Sequence, residues 1–484
     1  MSIRQKVLSG LAWNAGAKFC AQLFSWAITV FIMRSLDPAD YGLMAMASVF
    51  VSYLVLLNEL GLSAVLVQEK HVPEDKLRKI FGLLLVTNSL FFILSLAFAP
   101  VVAAFFKEHR VIPIFRVLSI QFLIICFAVL PQSTADRNMD FKKKSIVDLI
   151  SAVAASVGTL MLALNGLAVW SLVIGSLALA TFRTISLNII WPCLPLPLFS
   201  CRGMKRTLSF GGHVIMNRTL WFMLNNSDVF IIGRILGRDP LGVYSLALHL
   251  ASLPMQKVSS IVNQVAFPAF ARIQTEPKRV TYSFLKSVRI MSILSFPLLW
   301  GISSLAPELI LLILGEKWQL CIVPLRLISL VVPLRMTSNL FNPAVLGVGR
   351  PKVSFFNLLS ALVIMSAGMP LGAFWGINGV SVVWVTLYPV VFLLNLSRTV
   401  PVLGARFTEV LSAMAKPALS AFIMYVVILS ISKFIAAYSL FFRISLLGTL
   451  GALVYTIMIL WLYPQGCREV LRLIRSSSAR DLQI

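Results

Sequence analysis

The strongest constraint on this chain is an unbroken succession of apolar stretches, each about 20 residues long, running from the first residues almost to the last. A helix of that length crosses the hydrocarbon core of a bilayer. No water reaches backbone N–H and C=O groups there, so each stretch must satisfy them internally as a helix. Spans are expected near 10–33, 42–66, 80–106, 114–131, 146–164, 167–190, 209–235, 243–267, 284–303, 319–346, 353–375, 378–397, 410–432 and 444–463. Charged residues make up 12% of the chain, about half the roughly 25% that coats a soluble domain. The longest connections, near 131–145, 191–208 and 268–283, are shorter than the smallest independent domain. The expected class is an all-α polytopic membrane protein with about fourteen spans; twelve is the alternative if the last two do not cross.

The net charge of +24 would point a soluble protein toward nucleic acid. Here its distribution carries a different meaning. Counted in alternate connections, 24 Lys and Arg fall on one side of the membrane. The other side holds seven: Arg34, Lys107, Arg110, Arg238, Lys317, Lys433 and Arg443. The positive-inside rule places both termini in the cytoplasm, and nucleic acid is not an expected partner. The first apolar stretch is too long for a signal-peptide core and should remain as a span. Cys20, Cys126 and Cys321 fall within spans and none of the six cysteines shows metal or redox spacing. Neither a phosphate-cradling G-x-x-x-x-G-K-[ST] nor H-E-x-x-H occurs. No catalytic residue, metal or cofactor is therefore assigned, and ATP-driven work by this chain alone is disfavoured.

The chain also repeats itself. At an offset of 200, Leu8-Ser9 meets Leu208-Ser209, Lys18 meets Arg218, Arg34 meets Arg234, Leu36 meets Leu236 and Gly42 meets Gly242. At 210, Arg116-Val-Leu-Ser119 falls on Arg326-Leu-Ile-Ser329, and at 209 Leu149-Ile-Ser-Ala152 falls on Leu358-Leu-Ser-Ala361. Asn165-Gly166 resembles Asn378-Gly379. Six spans separate the copies, so both enter the membrane in the same direction as a parallel repeat. The expected organisation is a lobe over 1–200, a second over 201–408, and two further helices with a basic tail over 409–484.

Function should lie where the membrane tolerates polarity reluctantly. An ionisable side chain at the centre of a span costs about 2.5–3.5 kcal/mol unless water or a partner receives it. In the first span Asn14, Lys18, Gln22, Ser25 and Thr29 share one helical face. In the second, Ser48, Ser52, Glu59 and Ser63 do the same. The seventh carries His213, Asn217, Arg218, Asn225 and Asp228; the eighth carries His249, Ser252, Gln256, Ser260 and Asn263, with Lys257 at the edge. Polar stripes on the first two helices of each lobe point to a hydrated cavity. Its cationic excess, with Lys18, Arg218 and Lys257 foremost, suits an anionic substrate such as a phosphate or acidic sugar. Asn14, Gln22, Asn225 and Gln256 would add neutral hydrogen-bonding groups. Glu59, Asp228, His213 and His249 either neutralise neighbouring cations or titrate during transport, which would couple it to a proton or sodium gradient.

Several segments carry a family resemblance. Met1-Ser-Ile-Arg-Gln-Lys-Val-Leu-Ser-Gly10 with Trp13, Arg34-Ser-Leu-Asp-Pro-Ala-Asp-Tyr-Gly-Leu43 and Glu59-Leu-Gly-Leu62 with Gln68 resemble Wzx-type polysaccharide flippases, particularly the colanic-acid exporter branch. So do Met139-Asp-Phe-Lys142, Phe267-Pro-Ala-Phe-Ala-Arg-Ile-Gln274 and Gly315-Glu-Lys-Trp318. The resemblance implies the fold of the superfamily that includes multidrug (MATE) exporters and lipid II flippases: two six-helix lobes around a cavity, working by alternating access. It further implies translocation of undecaprenyl-diphosphate-linked oligosaccharide units across the bacterial inner membrane. Membrane lipids and the polymerase and assembly proteins of surface polysaccharide are the implied partners. A multidrug or cation antiporter of the same fold, and a membrane glycosyl polymerase or ligase, are the alternatives. Alanine at Lys18 or Arg218 should abolish transport at unchanged membrane levels; normal polysaccharide export in both variants would remove the assignment.

Overall fold

The computed structural model describes residues 27–58, 73–138, 140–199, 205–464 and 466, with side chains described outside 141, 205–218 and 256–269. Among the described residues there is no strand, and the helices follow the apolar stretches as hydrocarbon solvation demands. Among the described residues, eleven helices are long and apolar enough to cross a membrane. Helices of 31 and 35 residues, Lys205–Ile235 and Arg238–Arg272, occupy the positions of the seventh and eighth expected spans. A helical stretch over 27–35 occupies the end of the first. Both terminal helices, Phe407–Phe434 and Leu440–Leu462, are among the eleven. The protein is a multi-pass membrane protein.

The chain forms two compact units, Met1–Gly242 and Val243–Ile484. The first holds α1 (Pro38–Asn58), α2 (Glu74–Phe106), α3 (Val111–Leu118), α4 (Ile120–Arg137), α5 (Phe141–Leu164), α6 (Val169–Ile190) and α7 (Lys205–Ile235). Lipid tails are as apolar as leucine, so helix association here depends on close fit and hydrogen bonds. Both devices are present. A Cβ on Gly175 of α6 would sit 2.0 Å from the Thr159 hydroxyl of α5, so only glycine lets these helices pack this closely. Arg183 of α6 meets Asp148 of α5 at 2.8 Å, and Trp191 Nε1–H donates to Asp140 at 3.2 Å. Ile80, Phe81 and Leu84 of α2 pack on Val129 and Leu130 of α4.

The second unit contains most of α8 (Arg238–Arg272), then α9 (Pro277–Ser304), the short α10 (Ala306–Ile313), a 3-10 turn over Glu316–Cys321, and α11 (Ile322–Ser338). It continues with α12 (Phe341–Gly347), α13 (Pro351–Ala373), α14 (Gly376–Val402), α15 (Phe407–Phe434) and α16 (Leu440–Leu462). Gly372 of α13 and Gly379 of α14 approach so closely that a Cβ on Gly379 would lie 2.1 Å from the Gly372 carbonyl oxygen. The turn before α14 is made by Gly376, at φ +69°, and the turn before α6 by Gly166, at φ +79°. These glycines are 210 residues apart, the spacing that also relates Arg116 to Arg326. The match of Asn165-Gly166 to Asn378-Gly379 is thereby corrected: Gly379 is a packing glycine three residues inside the helix.

The terminal helices are fastened by buried polarity. Tyr455 of α16 donates its hydroxyl to the Ile293 carbonyl of α9 at 2.8 Å. Arg443, at the start of α16, pairs through Nη2 with Oε1 of Glu308 in the first turn of α10. Glu308 is 2% exposed. Its Oε2 and the Arg443 Nε make no hydrogen bond, so this pair carries an uncompensated desolvation cost. Arg443→Ala should destabilise the protein by about 3–5 kcal/mol, because it strands a buried carboxylate. Joint replacement of Glu308 and Arg443 by leucine should restore most of that loss. Thermal unfolding in detergent of Glu308→Leu, Arg443→Leu and the double leucine variant provides the check; equal losses in all three would refute the coupling.

Candidate functional site

The site is built from α1 and α7, two of the four helices expected to carry polar stripes, where they meet the start of α8. At one end the pseudo-equivalent glycines come together. A Cβ on Gly42 would lie 1.9 Å from the Arg238 carbonyl oxygen, and one on Gly242 would lie 1.8 Å from the Pro38 carbonyl oxygen. Both obstacles are backbone, which cannot swing aside as a side chain can. The helix starts at Pro38 and Arg238 can touch only because each has hydrogen at this position. The approach is made by way of the turn at Gly237, whose φ of +88° disfavours other residues.

Behind the glycine crossing lies a plug of aromatic rings. Phe50 of α1 sits 5.3 Å from Phe230 of α7, 6.3 Å from Phe115 of α3, and 6.0 and 6.4 Å from Phe106 and Phe105 of α2, each edge to face. Edge-to-face pairs are favoured by the ring quadrupole and add to the burial of large apolar area. Farther along, Tyr53 lies 5.4 Å from Phe222. Two arginines brace this end. Arg234 reaches from α7 to the last turn of α2, donating to the Ala104 carbonyl at 2.9 Å and to the Phe105 carbonyl. A cation at a helix C-terminus satisfies orphan carbonyls and opposes the negative end of the macrodipole. Arg238 donates to Glu108 at 3.2 Å. Such a bundle can hold one end of a membrane pathway shut without any covalent or metal tie.

The expected site residues distribute unevenly over the described structure. Asn14, Lys18, Gln22 and Glu59 lie outside the described residues. His213 and Arg218 are on α7, and Gln256 and Lys257 on α8, all four within the segments whose side chains are not described. Asn225 is half-buried on α7 and donates to the Trp221 carbonyl at 2.7 Å. Asp228, one turn further, is 2% exposed, and its Oδ1 accepts the Val229 N–H at 2.9 Å. His249 is exposed on α8, while Ser252 on the same stripe is buried. The ring of phenylalanines around Phe50 had no counterpart in the sequence reading. A phenylalanine on an apolar span is ordinary lipid-facing composition, and only the crossing brings these together. The one available sign was the Gly42 and Gly242 pair at the repeat offset.

With this geometry in place, kinship can be judged against the whole chain. Residues 31–323 match the family described as polysaccharide biosynthesis protein. The chain belongs to that family. The matched range holds all the resembling segments except the opening one, and the likeness to Wzx-type proteins stands. The teichuronic acid biosynthesis protein TuaB of Bacillus subtilis is 28% identical over 97% of this chain and 99% of its own length. The lipopolysaccharide biosynthesis protein WzxC of Escherichia coli is 24% identical, covering 86% of each chain. Among solved structures, the lipid II flippase MurJ in an inward closed conformation superposes with a TM-score of 0.75. It does so at 14% identity, over 94% of this chain and 99% of its own, and so shares the fold.

The glycine crossing gives a direct test. Gly42→Val should force the two helix starts apart and abolish polysaccharide export while the protein still reaches the membrane. Gly158→Ala, on a helix face with nothing within 4 Å, is the matched control and should export normally. Normal export by Gly42→Val would show that the close contact is dispensable.

Proposed function

We propose that this protein translocates undecaprenyl-diphosphate-linked oligosaccharide repeat units across the bacterial inner membrane, supplying capsule, exopolysaccharide or O-antigen assembly. The observation that carries this reading is end-to-end kinship with polysaccharide biosynthesis proteins on the fold of a lipid II flippase. Such a task needs a path for a large polar, anionic head while the lipid stays in the bilayer. The polar stripes of the first two helices of each lobe suit that head. In this reading Lys18, Arg218 and Lys257 meet the diphosphate or acidic sugars, since charge-assisted hydrogen bonds strengthen away from water. Asn14, Gln22, Asn225 and Gln256 meet sugar hydroxyls.

The lobes over 1–200 and 201–408 rock about the cavity, and the helices over 409–484 flank the second. The Gly42–Gly242 crossing and the Phe50 plug form the extracytoplasmic closure, opened once per cycle as α1 and α8 part at their starts. Both termini stay in the cytoplasm. Glu59, Asp228, His213 and His249 are the groups through which a proton or sodium gradient would drive the cycle. No bond is made or broken, and polymerase and assembly proteins take the unit afterwards. The cationic excess disfavours a drug-cation antiporter, which would need a net acidic cavity.

Depleting the protein and probing intact spheroplasts with an impermeant lectin decides the matter. Complete repeat units should accumulate shielded from the probe. Accumulation of lectin-accessible single units would mean that translocation is intact and that polymerisation has failed instead.

A further inference from the structure

The chain leaves α6 at Ile190 and continues through residues 191–199 without helix. The segment reads Trp-Pro-Cys-Leu-Pro-Leu-Pro-Leu-Phe and holds no charged residue. Its side chains alternate between two sides, as an extended backbone dictates. On one side Trp191 is buried and Cys193, Pro195 and Pro197 are half-buried. On the other, Leu194 is 56% and Leu196 75% exposed, and Phe199 at the end is 70% exposed. A contiguous apolar strip left open in this way marks a surface that something else covers.

The inner side is fastened to the first compact unit. Cys193 packs on the cluster of Ile80, Phe81, Leu84, Val129 and Leu130. The Leu198 N–H donates to the Arg78 carbonyl of α2 at 3.0 Å, and Arg78 Nε donates back to the Leu196 carbonyl at 3.1 Å. A Cβ on Gly82 would lie 2.5 Å from the Leu198 carbonyl oxygen, so the strap runs against bare backbone there.

Two helices fix its depth. α6 has 22 residues, which at about 1.5 Å each just cross a hydrocarbon core of about 30 Å, so the chain reaches the boundary as the strap begins. On α2 the contacts at Arg78 and Gly82 straddle the change from Glu74-Asp-Lys-Leu-Arg-Lys79 to a charge-free run that starts at Ile80. The Lys and Arg count assigns this boundary to the cytoplasmic side. The outer strip continues the exposed isoleucines at 185, 189 and 190 of α6, a membrane-spanning helix. Non-helical backbone beside hydrocarbon is costly because its N–H groups need acceptors. Here Pro192, Pro195 and Pro197 have none to satisfy, and the Trp191 and Leu198 N–H groups are paired. The same prolines spoil the strap as an edge for pairing with a strand of another protein.

We propose that residues 191–199 are a membrane-surface strap. Leu194, Leu196 and Phe199 insert among the acyl chains of the cytoplasmic leaflet, and Arg78 and Gly82 hold the strap at that depth. The partner is the phospholipid leaflet itself, engaged as an interfacial anchor engages it. The strap lies between the sixth span and the seventh, so it ties the passage from one lobe to the other to the bilayer. The proposal does not depend on what the protein carries.

The test uses the full chain in nanodiscs, with the native cysteines replaced and a nitroxide at Leu194→Cys or Leu196→Cys. Collisions with lipid-soluble oxygen should exceed those with a neutral, water-soluble nickel chelate, as at Phe98→Cys on the exposed face of α2. Thr275→Cys, in an exposed connection, should show the reverse. Gly82→Val, which pushes on the Leu198 carbonyl, should raise nickel collisions at position 196 several-fold; no change there would overturn the role of Gly82. A strap label that behaves like the one at 275 overturns the proposal. So does protection from both reagents, which would mean cover by protein, such as a second copy of the chain. Should the cysteine-free chain fail to fold, benzoylphenylalanine at position 196 of the otherwise native chain decides in its place. Cross-linking to phospholipid is expected, and cross-linking to protein alone overturns the strap.

Discussion

Backbone hydrogen bonds that cannot be left open in hydrocarbon govern nearly everything else here. They force each apolar stretch into a helix, and they leave the spaces between helices to be closed by fit and side-chain hydrogen bonds. Glycines therefore carry unusual weight. Gly175 lets α5 and α6 touch, Gly372 and Gly379 do so for α13 and α14, and Gly42 and Gly242 allow two helix starts to meet at backbone distance. Each contact brings carbonyl and methylene groups within van der Waals range, where many small dispersion terms add up.

The same constraint explains where charge can be kept. Arg234 is accepted because α2 ends in carbonyls that need donors, and Arg443 because Glu308 waits in the first turn of α10. Arg335 of α11 is accepted over the Trp384 ring of α14. These are three different solutions to one solvation problem, and they differ in what they leave over for function. A cap consumes its cation and a buried pair consumes both partners. A stacked guanidinium gives one face of its plane to the ring. Depth in the membrane alone therefore does not sort working cations from structural ones.

Much of this architecture could be read from residue order. The helical class and the positions of the described spans follow from apolar run length. Gly42 and Gly242 stood out only as one match among several at the same offset, with nothing to show that they touch. The register of the last repeat match slipped by three residues. Among apolar residues Asn378-Gly379 looked as good as Trp375-Gly376, and only the positive φ of Gly376 marks the true turn. Arg443 counted as a loop charge, since its partner lies 135 residues away.

What the sequence determined by itself is the class of solvent this protein folds in, its succession of helices and its family. These properties are set by local apolar length and by short ordered motifs, both of which survive as one-dimensional patterns. What only the tertiary structure decided is which side chains meet. The phenylalanines around Phe50, the Trp384 ring under Arg335 and the Glu308 to Arg443 bond each join helices far apart in the chain. Most of these spans are apolar on all sides, so outside the polar stripes periodicity does not announce the packed face. Only the closeness of fit between helices selects it.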